Sequence, residues 1–171
     1  MSESETSQGT ISRAGRILIL LGAFLGWMFA GWEMSLLPLS ARSVTIGMLQ
    51  NDPAHADWVT RARVVLETKD AAPSDADAAD RLNKVVGEWF ARYIAVFLFG
   101  AALGGWVFGW LGDHSGRVKA MALSIVWYSG FTGLSYFAQT PLQMCVMRFI
   151  ACMGIGGMWP AGVALVSEAW P

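Results

Sequence analysis

Four long runs nearly free of charge constrain this chain more than any other feature. Ile17–Leu39 is interrupted only by Glu33 and Ser35, Tyr93–Leu111 and Ala120–Ala138 carry no Asp, Glu, Lys or Arg, and Leu142–Val166 carries a single charge, Arg148. At about 1.5 Å of rise per residue, a helix of about 20 residues crosses the roughly 30 Å hydrocarbon layer of a bilayer. Backbone polar groups in lipid must be satisfied within the segment, so each run is expected to be a helix. The composition agrees: 15% of the 171 residues are charged, against about 25% in a soluble domain, which has to wet its whole surface. The expected fold class is all-α, a multi-pass membrane protein.

These runs divide the chain. Residues 1–16 form a polar Ser/Glu-rich tail, 17–39 the first span, 40–92 a long loop with partial helix, 93–111 the second span and 112–119 a short loop. A third span covers 120–138, a turn 139–141, a fourth span 142–166 and an end segment 167–171. Within the long loop, His55–Thr68 is expected to form a surface helix with Trp58, Val59, Val65 and Leu66 on its apolar face, and Lys69–Ala79 a turn and linker. Ser74 or Asp75 is expected to cap a helix running through Leu82, Val85, Val86 and Trp89 into the second span. Pro141 suits the first turn of the fourth span, where its missing donor costs little. Arg13 and Arg16 ahead of an apolar run imitate a secretory signal, but the run is longer than the 7–15 residues typical of one and carries Glu33, which favours a retained anchor.

Small residues mark expected contacts between helices. Gly22 and Gly26 lie four apart in the first span; Gly100, Gly104, Gly105 and Gly109 form two overlapping pairs of the same spacing in the second. Such stripes let helices approach closely in lipid. Cys145 and Cys152 sit seven apart on one expected helix, about 10 Å along its axis, too far to pair.

Two charges inside the runs carry the chemical interest. An acid in a membrane helix is costly, so it faces a cavity or a partner. Glu33 stands about 24 Å along a helix starting at Ile17, and Arg148 about 10 Å from the Pro141 end of the antiparallel fourth helix. They fall at similar depth and can pair. Either the pair orders the helices, or one or both members touch a substrate or a proton; protonating Glu33 would break it. Asp113, His114 and Ser115 have the residue types of a hydrolytic triad but are adjacent in sequence rather than converging, so catalysis is not expected and the chain reads as no enzyme. His55 and His114 lack clustered ligands, so neither a metal nor a cofactor is expected. The net charge of −1 and the scattered basic residues argue against nucleic acid.

The segment Gly109-Trp110-Leu111-Gly112-Asp113-His114-Ser115-Gly116-Arg117-Val118-Lys119 resembles the signature between the second and third helices of major facilitator superfamily transporters. His114 takes the usual basic position, and Val118 replaces a frequent second basic residue. The fourth span, from Arg148 through Gly154, Gly156, Gly157, Trp159 and Pro160 to Glu168 and Pro171, is similar to the metabolite and organic-acid:proton symporters of that superfamily. Cys152 stands where Gly is common and Met158 where a membrane Glu is often found. Gly26-Trp27-Met28-Phe29-Ala30-Gly31-Trp32-Glu33 resembles the same group's first-helix segment with Ala30 in place of its first acid, which leaves the substrate or proton role to Glu33 alone.

The resemblance, from Arg16 to Pro171, implies the first four helices of a six-helix N-terminal bundle, and hence a fragment that works with missing transporter helices. It implies alternating-access transport of a small metabolite, an organic acid or a sugar-like one, with Arg148 favouring the acid and a proton as a possible second cargo. Glu33 and Arg148 would lie on the substrate or proton pathway. Gly109, Gly112, Asp113, Gly116, Arg117, Gly154, Gly157, Pro160 and Glu168 would serve gating and helix packing. Counting basic residues leaves orientation open, since Arg42, Arg61, Arg63, Lys69, Arg81, Lys84 and Arg92 crowd the long loop; the resemblance implies a cytoplasmic N-terminus and signature loop, in a plasma or bacterial inner membrane. A non-transporting four-helix membrane scaffold or regulatory binding protein, or an inactive transporter fragment, is the alternative.

Overall fold

Helix is the only regular structure in the computed structural model, which describes residues 12–68 and 73–170. The helices are α1 (Arg13–Asn51), α2 (Ala56–Thr68), α3 (Pro73–Ser115), α4 (Arg117–Leu134, extended by a 3-10 turn Ser135–Phe137) and α5 (Pro141–Ala169). Most of the expected N-terminal tail, the segment 69–72 and Pro171 lie outside the described residues. α1, α3 and α5 are each long and apolar enough to cross a membrane. α4 is shorter and opens on Arg117 and Lys119, which lowers its apolar character at that end.

Capping fixes where the helices begin and end. Ser12 accepts a hydrogen bond from the Gly15 amide and starts α1. Thr140 and Gln143 form a reciprocal capping box at α5, with Pro141 in the first turn. α1 runs past Leu39 to Asn51 because Ala41, Thr45, Met48 and Leu49 continue a buried helical stripe. Its stop is Asp52, followed by Pro53. α3 already begins at Pro73, so the expected linker up to Ala79 is mostly helix; proline at a first helical position costs no hydrogen bond. Ser74 and Asp75 therefore stand within its first turn, and their side chains lie outside the described residues.

Residue counts of 39 for α1 and 43 for α3 correspond to about 60 Å of helix each. That is twice the hydrocarbon thickness, so each has an apolar half and a half that projects beyond it. The projecting halves enclose α2 in a small core of their own: Leu49, Val59, Ala62, Leu82 and Val86, flanked by Ile46, Trp58, Ala78 and Val85. Arg81 lies over the Trp58 ring at 4.7 Å.

Asp52 holds the turn between α1 and α2. Its Oδ1 accepts from the Ala54 amide at 3.0 Å and its Oδ2 from His55 Nδ1 at 3.0 Å. The Ala54 amide first, and His55 second, hold its carboxyl below the ordinary aspartate value of 3.8. A lowered native value means that the contribution to stability is present above 3.8 and disappears as pH falls through the native value. Protection of the Ala54 amide against exchange is therefore expected to be lost in the wild type only as pH falls through the native Asp52 value, below 3.8, and to be lost already at neutral pH in Asp52→Ala.

In the apolar half, α5 is central, packing against α1, α3 and α4. Its Cys152, Ile155, Met158 and Ala161 form one core with Ala23 and Ala30 of α1 and Met121 and Tyr128 of α4. The outward faces stay apolar: Leu39 is 80% exposed, Phe99 70% and Trp106 76%. A monomer in water rarely presents so continuous an apolar surface. Cys145 and Cys152 are buried free thiols.

Candidate functional site

Glycine sets the spacing of the bundle. A Cβ on Gly104 would overlap the Met153 carbonyl, one on Gly156 the Ala101 carbonyl, and one on Gly100 would stand 2.5 Å from the Phe149 oxygen. α3 and α5 thus touch backbone to backbone along two turns. Gly154 plays the same part toward α4, where a Cβ would meet Ser124 O at 2.7 Å, and Gly157 admits the Phe108 ring. Nothing lies within 4 Å of a Cβ at Gly109, so no close approach requires glycine there. Pro160 stands exposed within α5, where its missing N–H leaves the Gly156 carbonyl without the usual helical donor. Trp27 of α1 stacks on the neighbouring Trp159, ring centroids 5.9 Å apart.

This close packing brings Glu33 and Arg148 together. Glu33 is 9% exposed and Arg148 6%, and Arg148 Nη1 donates to Glu33 Oε1 in a short ion-paired hydrogen bond. Thr132 of α4 donates its hydroxyl to the same oxygen at 3.1 Å. Three helices thus converge on one carboxylate oxygen. The other carboxylate oxygen, Oε2, and the Nε and Nη2 of Arg148 are buried without a hydrogen-bond partner among the described residues. Two donors and one acceptor stay available in an apolar surround, where an unmade hydrogen bond is costly. Sequence reading missed Thr132, because a hydroxyl in an apolar helix carries no charge to single it out.

The signature segment forms a second cluster at the other end of the bundle. Gly116 has φ +95°, a left-handed conformation that glycine adopts without strain, and it is the break between α3 and α4. Arg117 then pairs with Asp113 at 2.7 Å and with Glu168 at 3.3 Å, tying the ends of α3, α4 and α5. Its guanidinium lies 3.2 Å from a Cβ built on Gly112, so a side chain there would crowd it. His114 does not join this cluster: its Nδ1 donates to the Trp110 carbonyl at 2.9 Å. No group of three or more metal-ligating side chains is found among the described residues.

An apolar helical bundle with an acid–guanidinium pair sealed inside it defines a multi-pass membrane protein. Residues 62–171 match the model of the sugar (and other) transporter family, and the chain belongs to that family, within the major facilitator superfamily. It is similar to the benzoate transport protein of Acinetobacter baylyi, 40% identical over 82 residues, or 45% of this chain and 18% of the relative. It is also similar to the gentisate transporter of Corynebacterium glutamicum, 40% identical over 73 residues, or 43% of this chain and 16% of the relative. An inner membrane metabolite transport protein of Escherichia coli is 35% identical over 74 residues, 43% of this chain and 17% of the relative. The chain spans less than a fifth of the length of each. No solved structure matches it significantly.

Proposed function

We propose that these helices form part of an alternating-access transporter that moves a small organic acid together with a proton. The observation that carries this reading is the buried Glu33–Arg148 pair with its three unpartnered polar atoms. Protonation of Glu33 removes its charge and frees Arg148. The guanidinium then receives a substrate carboxylate through two parallel hydrogen bonds, the arrangement its planar fork favours. Proton and anion enter together as a neutral set, and loss of the proton restores the protein's own pair and expels the anion. Thr132 anchors the oxygen that Arg148 leaves. The names of two similar proteins, a benzoate and a gentisate transporter, support a carboxylate substrate.

In this reading the chain crosses a plasma or bacterial inner membrane four times, over 17–39, 93–111, 120–138 and 142–166. The N-terminus and the loop 112–119 are cytoplasmic, and the α2 unit is external. Further transporter helices complete the cavity and rock against this bundle. The cluster of Asp113, Arg117 and Glu168 holds one access state. Its charges are partly exposed, so Arg117→Gln is expected to change stability by less than about 1 kcal/mol. The same change shifts access, and labelling from the cytoplasmic side of a cysteine placed at Gly109, where a side chain enters open space, is expected to become faster.

The test is uptake of labelled benzoate and gentisate by vesicles bearing the protein with its partner helices, with and without an inward proton gradient. Accumulation driven by the gradient, and lost in Glu33→Gln and Arg148→Gln, is expected. Undiminished uptake in both variants would overturn the reading.

A further inference from the structure

Outside the apolar bundle, the projecting parts of α1 and α3 together with α2 surround a cavity of about 400 Å³ whose lining includes Arg42, Ser43, Ile46, Arg63, Leu66 and Glu67. Both guanidiniums are held in place. Arg42 Nη2 donates to Asn83 Oδ1 on α3 at 3.0 Å. Arg63 donates from Nε to Glu67 Oε1 at 2.8 Å and from Nη1 to Gln50 Oε1 on α1 at 3.3 Å. The frame under them is the packed core of Leu49, Val59, Ala62, Leu82 and Val86, so the two cations stand on rigid elements.

Among the described residues, the charge of this lining does not cancel. Two arginines face one carboxylate, and Glu67 is already engaged by Arg63. Asn83 and Gln50 accept hydrogen bonds without bringing charge. Like charges on one cavity repel, and an anion placed between them relieves that repulsion. Ile46 and Leu66 add apolar wall beside the cations. A cavity of this volume falls in the range of small-molecule sites, which combine apolar walls with a few fixed polar groups.

We propose that this cavity binds a small carboxylate carried on an apolar body of about one ring. The carboxylate lies between Arg42 and Arg63, with the Ser43 hydroxyl as an additional donor, and the ring rests on Ile46 and Leu66. The site is separate from Glu33 and Arg148 and does not depend on transport. Arg63 is half exposed, so binding is weak and falls with added salt.

The test is titration of the full chain in lipid nanodiscs with benzoate, followed by saturation-transfer NMR against empty nanodiscs, with benzyl alcohol as the uncharged counterpart. Helix content by circular dichroism checks that each variant is folded. Benzoate is expected to bind in preference to benzyl alcohol. Arg42→Gln and Arg63→Gln are each expected to weaken binding about tenfold, the loss typical of a charge-assisted hydrogen bond, while Arg61→Gln, on the same helix as Arg63 but outside the cavity lining, leaves it unchanged. Equal binding of benzyl alcohol, or benzoate affinity unaltered by both arginine changes, would overturn the proposal. Loss of binding in Arg148→Gln, with affinity unaltered by both cavity arginine changes, would place benzoate at the intramembrane pair instead, which also overturns this site but leaves the transport reading standing.

Discussion

Arg148→Met is expected to destabilise the folded bundle by about 3–5 kcal/mol, because it strands the Glu33 carboxylate in an apolar interior with only Thr132 as a donor. Glu33→Gln is expected to be costly for the converse reason, leaving a buried guanidinium that already has two unpartnered nitrogens. The double variant Glu33→Gln/Arg148→Met leaves no charge behind, and is expected to be more stable than either single variant. Buried ion pairs commonly behave this way, since desolvation offsets much of their attraction. Denaturant titration of helix content in detergent measures all three. Simple addition of the two single losses in the double variant would show that the residues do not act as a pair.

Gly104→Val is expected to have an effect of similar size by a different route. Its Cβ would overlap the carbonyl of Met153, and a backbone carbonyl in the middle of α5 cannot move aside as a side-chain tip can. The helices must separate, losing contacts over the adjoining turns at Gly100 and Gly156. A loss of about 3 kcal/mol or more, with aggregation on extraction, is expected. Gly109→Ala is the control. Its Cβ enters open space, and alanine favours helix by up to about 1 kcal/mol over glycine. Recovery of monodisperse protein by size-exclusion chromatography separates the two: Gly104→Val is expected to be lost and Gly109→Ala to equal wild type.

The contrast between these glycines shows what the sequence could and could not reveal. Spacing of four marks Gly100–Gly104 and Gly105–Gly109 alike. Yet an α-helix turns about 100° per residue, so Gly109 points about half a turn away from Gly100. Only the position of α5 decides which pair is used. The depth match of Glu33 and Arg148 was legible because helical rise is fixed and the two apolar runs have defined ends. Thr132 was not, since its hydroxyl gains meaning only once α4 packs beside α1. The reach of α1 and α3 beyond the apolar runs was partly hidden. Ala41, Thr45, Met48 and Leu49 keep a helical period, but their partners Val59, Ala62, Leu82 and Val86 lie on other helices. Arg117 was singled out by its motif, and its reach to both Asp113 and Glu168 required the ends of three helices to meet.

The account turns on Glu33 gaining a proton when Arg148 turns to a substrate carboxylate. Infrared difference spectra of the protein, with its partner helices, in lipid read this directly. On addition of benzoate, a protonated-carboxyl band is expected to appear at neutral pH, and to be absent in Glu33→Gln. A benzoate-induced spectrum in which the Glu33 carboxylate bands persist unchanged would contradict the account.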